Sequence, residues 1–410
     1  MSFQHKSDIS APGRVPPQAL SRPPRACGRA RLAAAASVGV AAALALSTAG
    51  AGTASASTGA HPSRAGTGAS LGVGLADPDL VTETPAVQAS QLAEMKAIGI
   101  TSIRMDARWD LVQPDGPGTS DWANLDQAVR SVRAAGMSVD LIIDGCPQWA
   151  ALPGTGGDAS PQPASPAQYA AFAAQVAARY APEGVGMFEI WNEPNNVVFW
   201  QPKPNPAAYT ADLVAAYRAI KAADPAAFVI SGGLAPAVTD GTNISPVNFL
   251  QDMYADGAKG SFDAVGYHPY SYPALPDTYE SWSGWSQMNQ TSPSIRSVMA
   301  SNGDSGTPVW ITEVGAPSGG PGGIGQAGEA AELTQVITDA SRNSWIGGLY
   351  LYTWMDDGTD TTNTEDWFGL LNYGGSPKPA YFAVAAAVMP WPSHQLDALP
   401  AVSQARRIRS

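Results

Sequence analysis

Ile190-Trp191-Asn192-Glu193-Pro194-Asn195 ends the apolar run Met187–Trp191 on an amide, an acid and a proline. A short apolar run stopped by an acid and a helix breaker reads as a buried strand that carries one carboxylate to its mouth. The pattern recurs far downstream. In Trp310-Ile311-Thr312-Glu313-Val314-Gly315 a second apolar run delivers a glutamate, with glycine two residues later. One such acid is readily a salt-bridged strand end. Two in one domain can face each other across a cleft.

Outward from these stretches, short apolar runs alternate with helical segments from residue 70. Strands are predicted over Ser70–Leu75, Ser102–Ala107, Ser138–Ile143, Met187–Trp191, Phe228–Gly232, Ala264–His268, Val309–Thr312 and Gly348–Tyr352. Ser165-Pro166, Asn205-Pro206 and Ser245-Pro246 each pair a capping residue with a proline at the first helical position, and they open helices Ala167–Tyr180, Ala207–Ala223 and Val247–Tyr254. Gln88–Ile98, Trp122–Ala135, Ser292–Ser301, Gly328–Ser341 and Ala380–Val388 complete the helical set. Strands and helices taking turns in this way predict an α/β fold, a parallel sheet closed into a single (β/α)8 barrel. An open doubly wound sheet would place a glycine-rich phosphate loop after its first strand, and Leu75-Ala76-Asp77-Pro78-Asp79 is not one. Ser318–Gly323 is glycine-rich but contains proline and no Lys-Ser/Thr, so it reads as a mobile loop over the cleft.

The bulk composition narrows the partners. Residues 1–56 join a basic segment, the uncharged run Leu32–Gly50 and Ala54-Ser55-Ala56, the layout of a secretory signal peptide. Residues 57–68 read as a flexible linker, 69–390 as the barrel, and 391–410 as a tail with the basic end Arg406-Arg407-Ile408-Arg409. Without the first 56 residues the chain keeps 17 basic and 34 acidic side chains, a net charge of −17. That balance argues against nucleic acid, an anionic membrane or a polyanionic substrate. Cys146 is then the only cysteine, so no internal disulfide can form. The expectation is an exported monomer, extracellular or at the cell envelope, with no membrane contact after cleavage.

In such a barrel the carboxyl ends of the strands converge on one face, where active sites are built. Nearly every predicted end carries a polar or aromatic group: Arg104, Asp106, Trp109, Asp144, Trp149, Asn192, Glu193, Tyr267, His268, Tyr270, Glu313, Trp354 and Asp356. Acids, an amide, a histidine and several tryptophans suit a carbohydrate, since flat rings stack on pyranose C–H faces and polar groups read hydroxyls. No histidine pair or cysteine cluster suggests a metal, and Asp356–Asp360 lacks the offsets of a calcium loop and reads as a solvated acidic loop. No cofactor is expected.

These residues resemble glycoside hydrolase clan A, the retaining barrels with catalytic acids on strands four and seven. Asn192-Glu193 matches the acid/base motif and Glu313 the nucleophile. Arg104-Met105-Asp106-Ala107-Arg108-Trp109, His268-Pro269-Tyr270 and Trp354 are similar to motifs on strands two, six and eight of family 5 cellulase-like and family 39 xylosidase or exopolysaccharide-hydrolase members. The resemblance spans about residues 70 to 390. It implies a retaining O-glycosidase acting on a β-linked oligo- or polysaccharide, with Glu193 and Glu313 catalytic. Asn192, Arg104, Trp109, Trp149, His268, Tyr270 and Trp354 would bind substrate, with Arg104 and Tyr270 holding Glu313 as the anion. A barrel that binds carbohydrate without cleaving it, and a transglycosylase using the same two acids, are the competing readings.

Overall fold

A computed structural model describes residues 71–389 except 156, 158 and 159. The predicted signal peptide, linker and tail, and Ser70 of the first strand, lie outside the described residues.

The strands are β1 Val73–Ala76, β2 Ser102–Arg108, β3 Ser138–Asp144, β4 Met187–Asn192, β5 Phe228–Gly233, β6 Val265–Tyr267, β7 Val309–Val314 and β8 Ile346–Tyr352. They pair in parallel in the order β5-β4-β3-β2-β1-β8-β7-β6. Parallel bridges Ile230–Ala264 and Leu234–Tyr267 join the two ends of that order. The sheet is therefore wrapped into the (β/α)8 barrel. Around it run α1 Pro85–Ala97, α2 Trp109–Val112, α3 Ala123–Ala134, α4 Pro166–Tyr180, α5 Pro206–Ala223, α6 Pro246–Ala255, α7 Gly284–Asn289, α8 Ile295–Ser301, α9 Gly325–Arg342 and α10 Pro379–Val388. Ser165, Asn205 and Ser245 accept from the backbone N–H of Gln168, Ala208 and Asn248, each with proline opening the helix. The short α2 and α7 are additions to the predicted set. No helix among the described residues is long and apolar enough to cross a membrane.

Strand alternation sorts the core into two shells. Outward residues such as Ile103, Leu141, Phe188 and Ile190 pack under Leu92, Val129, Phe172 and Leu213 of the helices. Each such side chain contributes about 1.5–3 kcal/mol on burial. Inward residues Ala76, Met187, Ile230, Trp310 and Tyr350 fill the lumen. Gly348 makes room there, since a Cβ at that position would strike the Trp310 indole. Toward the carboxyl ends the inner files turn polar. Arg104, Asp106 and Arg108 of β2 pair in register with Asp140, Ile142 and Asp144 of β3.

Two sequence expectations are corrected here. Asp356 is not solvated: it is 2% exposed and accepts from Lys378 Nζ at 2.7 Å. Lys378, itself buried, also donates to Glu329 at 3.1 Å and to Ser318 Oγ at 2.8 Å, tying α9 and α10 to the loops after β7 and β8. Ser318 N–H bonds the Trp367 carbonyl and Gly319 packs on the Trp367 ring, so the glycine-rich segment is anchored to its neighbour instead of being free. Its small residues serve close backbone approach.

Some buried acids have no cation. Asp212 on α5 has an Oδ1 with no partner among the described residues, and burial pushes its carboxyl up to about 8. The folded chain then holds a proton that an unfolded aspartate loses near pH ~4. Stability from this group is present at low pH and is lost as pH rises from about 4 toward about 8. Asp212→Asn should therefore stabilise the fold at about pH 9, by about 1 kcal/mol or more, and leave the melting temperature nearly unchanged at about pH 3. Melting curves at the two pH values check this.

Candidate active site

Regular alternation would aim only one of Asn192 and Glu193 into the lumen. The chain escapes it by placing Trp191 at φ 72° and Glu193 at φ 44°, both in the left-handed region that non-glycine residues rarely occupy. Packing holds this strained turn. The Trp191 indole donates to the Phe199 carbonyl at 2.8 Å and meets Trp200 edge-on at 5.1 Å. On the other side of the barrel, the β7–β8 register slips between Ile311 and Val314. A bulge re-aims a side chain, and here Thr312 and Glu313 both reach lumen partners.

Arg104 ties the two sides together. Its guanidinium donates to Glu189 Oε2 at 2.6 Å and Oε1 at 3.2 Å, to Glu313 Oε1 at 2.5 Å and to Asn192 Oδ1 at 2.9 Å. Its partner is not Asp106. Tyr270 donates its hydroxyl to Glu313 Oε2 at 3.0 Å. Glu193 has different company: Asn196 Nδ2 donates to its Oε2 at 3.0 Å, and His268 Nδ1 lies 3.0 Å from its Oε1. Gly233 admits the imidazole, because a Cβ there would collide with His268 Nε2.

The hydrogen-bond chain assigns the protons. Thr312 donates to Glu189 Oε1 at 3.0 Å, so its oxygen is left to accept from His268 Nε2, also at 3.0 Å. Burial lowers the His268 pKa and keeps the ring neutral. A neutral imidazole with its proton on Nε2 presents a lone pair at Nδ1. The 3.0 Å contact with Glu193 Oε1 is then a bond that Glu193 donates. Burial also raises the Glu193 pKa and the charge of Glu313 assists, against the Asn196 bond; only a protonated or donating His268 would oppose it as well. Burial raises Glu313 as well, but there Arg104 and the Tyr270 hydroxyl pull toward the anion. The His268 tautomer thus favours the acid form at Glu193, whereas Arg104 and the Tyr270 hydroxyl favour the anion at Glu313.

Oxygens of Glu193 and Glu313 and a nitrogen of His268 lie within 4.8 Å of one another. Three such donors could hold a cation. Arg104, at 2.5 Å from Glu313, already supplies positive charge to that oxygen pair.

Beside them lies a cavity of about 110 Å³, lined by Glu313, Asn192, Arg104, Trp191, Phe199 and Tyr352 among others. Glu193 is 1% exposed and is not among the lining residues, though its neighbour Asn192 is. The predicted ring of tryptophans is not there. Trp109 is buried, stacked on Phe172 at 5.5 Å, and bonded to Gln113. Trp149 stands edge-on to Trp109 at 5.3 Å and donates to the Gln113 carbonyl. Trp354 is 1% exposed and packs on Tyr381 of α10. Trp200 is likewise core. These indoles pack in the shell outside the barrel, and the aromatic residues that line the cavity are Trp191, Phe199 and Tyr352, the indole of Trp191 being itself turned onto Trp200 and Tyr169. Glu189 and Thr312 carried no predicted role. Glu189 was visible as an acid inside the apolar run Met187–Trp191, where only a paired charge is tolerated.

The cellulase family, glycosyl hydrolase family 5, matches residues 69–351. No curated protein sequence matches the chain. Among solved structures, a family 39 glycoside hydrolase from Bacteroides cellulosilyticus WH2 is 24% identical with a TM-score of 0.60, covering 77% of this chain and 63% of that one. This chain therefore spans less than two thirds of that protein. A GH5_18 structure from Streptomyces cattleya in complex with GlcNAc is 18% identical, with a TM-score of 0.59 and 82% coverage of both chains. Xylanase 10B from Thermotoga maritima is 14% identical, with a TM-score of 0.53, covering 80% of this chain and 97% of that one. At these identities the structural likenesses speak for the fold. With the family match over most of the barrel, the chain belongs to glycosyl hydrolase family 5, the cellulase family, and is a clan A glycoside hydrolase.

Proposed function

We propose that this glycoside hydrolase works by retention on a β-linked saccharide, with Glu313 as nucleophile and Glu193 as acid/base. The observation that carries the reading is the approach of the two carboxyl groups to within 4.8 Å. That separation leaves no room for the water an inverting enzyme needs, which requires about 6.5–9.5 Å. Glu193 gives its proton to the leaving oxygen while Glu313 attacks the anomeric carbon, forming a glycosyl ester. The ester is neutral, so the charge that kept Glu193 protonated is gone. Glu193 then takes a proton from water as that water opens the ester. Asn192, held by Arg104, faces the cavity and is suited to the sugar 2-hydroxyl. Glu189, Thr312 and His268 act as a fixed chain that presents a lone pair to Glu193, and so keep it an acid.

The basic-then-apolar residues 1–56 support export. A binding-only barrel fits poorly with two oppositely biased acids, and transglycosylation would show as sugar transfer to an added acceptor.

NMR of the first product formed from an aryl β-glycoside should show the β-anomer, and an initial α-anomer would end this proposal. Glu313→Ala should abolish turnover. Glu193→Ala should lose ~10²–10⁴-fold on poor leaving groups and less on activated aryl glycosides, as steady-state rates across a leaving-group series would show.

Thr312→Val removes the acceptor for His268 Nε2–H. The ring can then put its proton on Nδ1 and donate to ionised Glu193, lowering that pKa. The alkaline limb of the kcat–pH profile should move to lower pH with the acid limb in place. An unmoved alkaline limb in a folded variant would remove the chain from the mechanism.

A further inference from the structure

Two carboxyl groups in the cavity have no assigned work. Asp106 of β2 and Asp144 at the end of β3 both line it, on adjacent inner files. Neither makes a side-chain hydrogen bond among the described residues, and Asp144 Oδ1 is sealed from solvent without a partner. The two nearby cations are engaged elsewhere. Arg104 is spent on Glu189, Glu313 and Asn192. Arg108 directs Nε and Nη2 to Asp110, at 2.8 and 2.6 Å. The fields of Arg104 and Arg108 still reach both acids and oppose the effect of burial, while Glu313 and Glu189 act on Asp106 in the other direction. Burial wins, and Asp106 is pushed up to about 6.

A half-buried carboxyl without a hydrogen-bond partner costs stability, and two on adjacent strands, one with an oxygen sealed from solvent, are a liability that packing alone would not place here. Strand ends in a cavity are where a ligand would cover them. A carboxyl group keeps acceptor oxygens in either protonation state, so these two ask a ligand for donors. Adjacent hydroxyls of a pyranose supply donors at neighbouring positions, whereas a sugar carboxylate would be repelled.

We infer that Asp106 and Asp144 form the wall that reads the hydroxyls of the sugar attacked by Glu313, selecting an uncharged glycosyl unit with adjacent free hydroxyls and rejecting uronic acids. This rests on the proposed function and assigns specificity to residues outside its acid/base pair.

The test uses Asp106→Asn and Asp144→Asn in the full chain. Without ligand, each variant should melt at or above the wild-type temperature, since an unpaired charge has been removed; a purely structural role would lower it. On an uncharged aryl glycoside that wild type hydrolyses, kcat/KM should fall about 10–100-fold per variant, the size of one lost hydrogen bond to a charged acceptor. Monodeoxy versions of that glycoside should cost wild type a similar factor and cost the matching Asn variant little. The corresponding glucuronide should be a poor substrate for wild type. Variants as active as wild type, deoxy penalties that persist unchanged, or a glucuronide cleaved as well as the glucoside would each overturn the inference. Should wild type cleave no glycoside, the proposed function fails by itself. Calorimetry with uncharged methyl glycosides then still decides this inference: binding lost in both Asn variants supports it, and binding unaffected or never present overturns it.

Discussion

The site depends on one buried cation. Arg104, 2% exposed, joins Glu189 of β4, Glu313 of β7 and Asn192 at the end of β4 through a single guanidinium. Taking these charges out of water is costly, and breaking such a network leaves an uncompensated buried ion worth several kcal/mol. The planar fork suits this task, since it can hold Glu189 at two points and still reach the other two side chains. Lysine, a single compact ammonium, could not hold Glu189 at two points in one plane and still reach the other two. The distance between opposite walls of the barrel is set largely at this residue.

Around that anchor, the barrel departs from regular strand geometry in two places. Left-handed backbone at Trp191 and Glu193 and the register slip in β7 bring side chains inward that alternation would have sent elsewhere. The cost is met by packing outside the sheet, where Trp191 leans on Trp200 and Tyr169, and Trp200 in turn on Tyr209. Trp109, Trp149 and Trp354, expected to hold substrate, pack against Phe172, the Gln113 backbone and Tyr381. Acidity is handled by the same logic: burial raises both catalytic candidates, and the neighbours then separate them. Arginine and a tyrosine hydroxyl favour the anion at Glu313, while a neutral imidazole with its lone pair turned outward accepts the proton of Glu193.

Much of this was legible in the chain. Proline-preceded caps located α4, α5 and α6, because Ser-Pro and Asn-Pro starts work through local hydrogen bonds and a fixed φ. Period and length located the eight strands to within a few residues, the largest difference being at β1, which begins at Val73. Glu193, Glu313, Arg104, Asn192, His268 and Tyr270, six strand-end residues that the sequence nominated, come together in one place. Strand ends of a closed parallel barrel must converge, whichever side chains they carry.

The tryptophans could not be resolved in this way. An indole at 109, 149 or 354 is as good a filler of the helix–sheet shell as a platform for sugar, and the choice depends on which neighbours surround it. Tyr352, two residues before Trp354, faces the cavity while Trp354 packs against α10. Likewise Lys378 claims Asp356 from a distant stretch of chain, which no local pattern announces. The sequence alone determined the order of elements, the barrel and which acids stand at strand mouths, since those follow from periodicity and capping over a few neighbouring residues. Only the tertiary structure decided which rings are wet, which charges are paired and which carboxyl keeps its proton, since those depend on groups separated by up to 209 positions, the span from Arg104 to Glu313.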